Sequence, residues 1–68
     1  MATLTKVPTG ERKQRLAAIR AKLSVDGIIE IEKTLEISKS AIYTYLNGSG
    51  NKYTTEMAII EAGEKLLA

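Results

Sequence analysis

The segment ISKSAIYTYLNG, residues 37–48, concentrates side chains able to recognise a polar surface. Ser40, Tyr43, Thr44 and Asn47 follow Lys39 at offsets of 1, 4, 5 and 8, which form one stripe along an α-helix. Ile42, Tyr45 and Leu46 fall on the other side. Every residue of the stripe carries a hydrogen-bond donor and none is a carboxylate. The chain has no Phe and no Trp, yet two of its three tyrosines lie here. Tyr45 is expected to anchor the helix and Tyr43 to face outward. A DNA major groove, about 12 Å wide, admits one such helix and displays the acceptors and donors these side chains can read. Lys39 suits guanine acceptors, Ser40 and Thr44 suit either partner or a thymine methyl, and Tyr43 suits a base or a phosphate. Asn47, at the helix end, is better placed for phosphate.

Other chemistry fits poorly. The chain has no Cys and no His, which removes thiolate ligands, the commonest metal ligand and the usual general base. It has no glycine-rich phosphate loop and no carboxylate pair that can be placed in a pocket. We expect no enzyme, no metal, no cofactor and no small-molecule substrate. A chain of 68 residues forms one domain at most, and a domain of that size hides only about 60% of its unfolded surface. No apolar run approaches the roughly 20 residues that span a bilayer, and the start lacks signal-peptide order. The expected location is the cytoplasm.

Charge is uneven. Residues 1–24 carry six cations and one carboxylate, whereas residues 25–68 carry four cations and seven carboxylates. A basic first third on an acidic body suggests a polyanion approached from one side, although a solvated helix face with a basic tail accounts for it equally well.

Four helices are expected to position the stripe, giving an all-α, small helix-turn-helix domain over residues 9–68 behind an N-terminal arm, residues 1–8. Thr9 offers a cap for a first helix over about 10–23, with Leu16, Ile19 and Leu23 at helical spacing. The residues SVDG, 24–27, combine cap and turn chemistry, which starts the second helix near Gly27, with Ile28, Ile31 and Leu35 on one face. IIEIE, 28–32, has strand propensity too, but no strand partner is evident. Ser38 caps a third helix to Leu46, and Asn47-Gly48 closes it. GSGNK, 48–52, then reads as a flexible loop. Thr54 or Thr55 caps a last helix in which Gly63 costs up to about 1 kcal/mol relative to Ala, so another helix passes close by or the helix frays there. Apolar residues at Ile31, Leu35, Ile37, Ile42 and Tyr45 have the pattern of a helix-turn-helix.

Residues 28–48, IIEIEKTLEISKSAIYTYLNG, resemble the helix-turn-helix of the lambda-repressor and Cro-like DNA-binding proteins, without gaps through the apolar positions, the Ser-rich start of the recognition helix and the closing LNG. The resemblance implies a cytoplasmic, dimeric regulator that reads a palindromic operator in double-stranded DNA, and the small size resembles phage-encoded regulators of a bacterial host. Carried over by position, base reading falls on Lys39, Ser40, Tyr43 and Thr44. Phosphate contacts are assigned to Arg12, Lys13, Ser38, Asn47, Lys52 and Tyr53, with shielding of the last helix as the other reading of Tyr53, and Thr3, Thr5 and Lys6 form either an arm that reaches a minor groove or a disordered tail. The last helix, through Met57, Ile60 and Leu67, is the expected dimer face.

The chain departs from the family at Glu32, where a small residue is usual at the helix crossing, and at Glu36, where the turn favours Gly. A left-handed Glu costs roughly 1 to 2 kcal/mol. Two other classes share the shape: a protein-interaction module, such as an antitoxin, anti-repressor or virion component, and a weakly specific DNA-binding subunit of a recombination machine. Salt sensitivity without sequence discrimination separates the last from a regulator.

Overall fold

The computed structural model describes residues 7–68, so the expected arm lies outside the described residues except for Val7 and Pro8. Four helices follow in order: α1 (Thr9–Lys22), α2 (Val25–Leu35), α3 (Lys39–Leu46) and α4 (Tyr53–Leu67). Among the described residues there is no strand, and IIEIE is helical. The chain is a small all-α four-helix domain.

Helix ends show where local signals competed. Pro8, not Thr9, precedes α1, and its φ of −57° suits a helix start. Thr9 is the first helical residue, and its hydroxyl accepts from Arg12 Nη2 at 3.2 Å. Ser24 caps α2 by accepting from Gly27 N–H at 3.2 Å. The helix therefore starts at Val25, two residues earlier than SVDG suggests, and Asp26 complements its dipole from the first turn. Ser38 caps α3 by accepting from Ala41 N–H at 3.2 Å. Lys52 precedes α4 without a side-chain cap, and Thr54 and Thr55, the expected caps, lie inside the helix.

The core joins Leu16 and Ile19 of α1, Ile28 and Ile31 of α2, Ile42, Tyr45 and Leu46 of α3, and Ile59 and Ile60 of α4. Burying each side chain contributes about 1.5 to 3 kcal/mol. Ile60 is fully buried and Met57 is half-buried, so the expected dimer face reduces to Leu67. Ile60 belongs to the core because that side of α4 meets α1 and α2. Gly63 explains its own cost: a Cβ there would lie 2.8 Å from Ile19 Cγ2, so glycine is what lets α1 and α4 approach. The same two helices are tied by Arg12–Glu56 at 2.5 Å and by a two-pronged Arg15–Glu64 contact at 2.7 and 2.5 Å. The Arg15 hydrogen bond holds the Glu64 carboxyl below its ordinary pKa. That small, solvent-screened stabilisation is present at neutral pH and is lost as pH falls through the lowered pKa.

Between α2 and α3, Glu36 takes the left-handed conformation, φ 56° and ψ 44°. Glu36→Gly is expected to raise stability by about 0.5 to 1 kcal/mol, because relief of the left-handed Cβ clash exceeds the extra freedom glycine gains when unfolded. Urea unfolding checks this, and an unchanged or lower midpoint refutes it.

Candidate nucleic-acid interface

Packing orients α3. The helix touches all three others, and Ile42, Tyr45 and Leu46 are buried on its inner side. Tyr45 goes further than packing: its hydroxyl accepts from Lys52 N–H at 3.2 Å, which pins the loop beyond the helix. That loop is also held by Asn47, Gly48 and Ser49 N–H groups donating to the carbonyls of Tyr43, Tyr45 and Thr44. It is therefore fastened at both ends, where composition alone suggests flexibility. Gly48, at φ +86°, supplies the left-handed residue that closes the helix.

The other side of α3 carries the stripe, and Lys39, Ser40, Tyr43, Thr44 and Asn47 are all exposed. Thr44 Oγ1 donates to the Ser40 carbonyl at 2.9 Å. Its hydroxyl proton is thereby used, leaving a lone pair and a methyl group to face outward. Thr44 can accept from a base amino group or touch a thymine methyl, and cannot donate to a base without breaking that bond. Ser38 Oγ accepts from Ala41 N–H in the cap, so its own proton stays available to an outside oxygen.

Asn47 connects this stripe to a second surface. Together with Leu46 and Gly48 it lines a concavity against α1, whose floor is Ala17 and Ala21 and whose walls are Lys13 and Arg20. Offsets of 4, 7 and 8 from Lys13 place these four on one face of α1, and the two alanines leave room between the two cations. No carboxylate lines the concavity. Lys13 and Arg20 take part in none of the ion pairs among the described residues.

The remaining phosphate candidates divide. Lys52 is exposed beside the pinned loop. Arg12 and Tyr53, in contrast, are built into the fold. The Arg12 guanidinium pairs with buried Glu56, donates to the Val7 carbonyl and lies 5.0 Å from the centre of the Tyr53 ring. The Tyr53 hydroxyl accepts from Val7 N–H at 3.0 Å. Two cations of α1, Arg12 and Arg15, are thus paired with carboxylates of α4. Arg20, absent from the residues chosen by sequence, stands in the concavity instead. Its i+7 relation to Lys13 was the available signal.

Glu32 is half-buried and makes no ion pair among the described residues, and its carboxylate is not buried without a partner. The described residues contain no cluster of His, Cys, Asp or Glu able to hold a metal ion and no helix long and apolar enough to cross a membrane. The class defined so far is a small four-helix domain in which a three-residue turn, Glu36–Ser38, joins α2 to α3. Comparison with protein-family models, curated proteins and solved structures gives no significant match to this chain.

Proposed function

We propose that this protein binds double-stranded DNA as a sequence-specific regulator, with α3 in the major groove. One observation carries the reading. The carboxylate-free polar stripe of α3 runs through Asn47 into the carboxylate-free concavity walled by Lys13 and Arg20. Base edges meet the first part and a phosphate backbone meets the second, which matches the division between specifying and positioning contacts. The resemblance of residues 28–48 to lambda-repressor and Cro-like proteins supports the same reading, as does the left-handed turn residue at Glu36.

Lys39, Ser40, Tyr43 and Thr44 read bases. Lys13, Arg20, Ser38, Asn47 and Lys52 hold the backbone. Selection of bound sites from random duplex DNA is the direct test. Lys39→Ala is expected to relax preference at one base position by about 1 to 3 kcal/mol, while Lys13→Ala weakens all sequences alike and lowers the salt slope by about one unit. Unchanged discrimination by the Lys39 variant removes that residue from the reading set. Salt-sensitive binding with no selected sequence would point to an architectural subunit, and no binding to any duplex would point to a protein-interaction module.

A further inference from the structure

The lining of the concavity between α1 and the end of α3 divides by chemistry. Lys13, Arg20 and Asn47 supply its side-chain donors, whereas Ala17, Ala21 and Leu46 present only hydrocarbon. Backbone donors add nothing to these. The Asn47 and Gly48 N–H groups already bond the carbonyls of Tyr43 and Tyr45, and Lys13, Ala17, Arg20 and Ala21 lie within α1, where each N–H bonds the preceding turn. Acceptors are scarcer still: Asn47 Oδ1 is the one side-chain acceptor in the lining. The volume, about 520 Å³, exceeds the needs of a lone phosphate and falls within the roughly 300 to 1,000 Å³ of sites that take an organic ligand.

Spacing along α1 narrows that ligand. Seven residues at about 1.5 Å each put Lys13 and Arg20 about 10 Å apart along the axis, with Ala17 between them. The Lys13 stem lies beside the end of α3, its Cε and Cδ 3.9 and 4.0 Å from where a Cβ on Gly48 would stand. Two cations separated by hydrocarbon match two anions separated by an uncharged, largely apolar linker. A DNA strand is built that way, because a deoxyribose with a plain methylene at C2′ joins each phosphate to the next. RNA carries at that carbon a hydroxyl that both donates and accepts, and this group is what lets a protein tell the two apart. Over Ala17 and Ala21 such a hydroxyl gives up water and meets methyl groups, while the cations are already engaged by phosphates. Its proton is left without an acceptor, a costly state for a desolvated polar group.

We infer that the concavity recognises a phosphate–deoxyribose–phosphate step, with Lys13 and Arg20 on the phosphates and Ala17 and Ala21 against the sugar, and that it rejects ribose at that step. This rests on the DNA reading of α3 and adds to it a second level of selection, for the sugar of the strand and not for its bases.

The test takes a duplex that the wild-type protein binds, rebuilds it with one ribonucleotide at a time and titrates each by fluorescence anisotropy. At one position the ribonucleotide should raise the dissociation constant roughly tenfold, the effect of one unpaired hydroxyl. A 2′-fluoro nucleotide there takes the ribose pucker without donating a hydrogen bond, and should bind like the deoxynucleotide. Ala17→Ser or Ala21→Ser supplies an acceptor and should cut the ribose penalty to roughly threefold or less. Both alanines are exposed, so these variants fold. Lys13→Ala should weaken the deoxy and ribo duplexes by the same factor. Ribose tolerated at every position, a fluoro penalty as large as the hydroxyl penalty, or a penalty that neither serine relieves would overturn the inference and leave the DNA reading standing. So would a ribonucleotide that tightens binding, with Asn47 then accepting from it. Binding to no duplex at all removes the DNA reading and this inference with it.

Discussion

Arg12→Ala is expected to lower the unfolding free energy by about 3 to 5 kcal/mol, because it strands a buried carboxylate. Glu56 is buried, and its side chain and that of Arg12 are only 9% and 15% exposed. The guanidinium satisfies that carboxylate at 2.5 Å, binds the Val7 carbonyl and the Thr9 hydroxyl, and stacks on Tyr53. Alanine replaces none of these. Native domains hold about 5 to 15 kcal/mol in all, and a small one sits near the bottom, so the variant should be largely unfolded at physiological temperature. Replacing both partners with apolar residues, Arg12→Met with Glu56→Leu, should recover much of the loss, since no charge is then left unpaired. Urea unfolding of the two proteins separates this account from a phosphate-binding role. An Arg12→Ala protein that melts with the wild type and loses only DNA affinity would refute it.

Gly50→Ala should be nearly as damaging, for a steric reason. A Cβ at residue 50 would lie 1.8 Å from Tyr45 Cδ1 and 2.5 Å from Cγ. Those atoms belong to the root of a rigid ring that is 8% exposed and fixed at its far end by Lys52 N–H. The ring has no room to swing, so the loop or α3 must shift, at a cost of about 3 kcal/mol or more. Because Tyr45 anchors the inner side of α3, the same change should disturb the stripe and weaken every DNA contact together. Gly48→Ala makes a useful contrast. Its nearest neighbour atom is Lys13 Cε at 3.9 Å, so space is open and the cost lies in φ +86° alone, roughly 1 to 2 kcal/mol. Thermal unfolding of the two variants should place Gly50→Ala clearly lower. A Gly50→Ala protein as stable as Gly48→Ala would show that Tyr45 is not held as described.

The helix that carries the stripe was the most legible part of the chain, because its signals are local. Ser38 caps it, Ile42, Tyr45 and Leu46 set its inner side, and Asn47-Gly48 stops it, all within about ten residues and none in conflict. The start of α2 was less legible because Ser24, Asp26 and Gly27 each offer cap or turn chemistry within four positions. Only the extended Leu23 that ends α1 decides for Ser24. At the start of α4 two threonines advertised a cap, yet the helix begins before both because the Tyr45–Lys52 contact brings the chain into register earlier.

Sequence by itself determined an all-helical chain and the inward and outward sides of α3, since each depends on neighbours a few positions apart, whereas the left-handed Glu36 was suggested only by the resemblance and fixed by the structure. Tertiary structure alone decided which cations of α1 are available. Arg12 and Arg15 meet carboxylates 44 and 49 residues away, while Lys13 and Arg20 turn to the concavity beside Asn47. Charge counted along a chain cannot separate those two fates, because neutralisation depends on distance in space, and only the packing of α4 against α1 sets that distance.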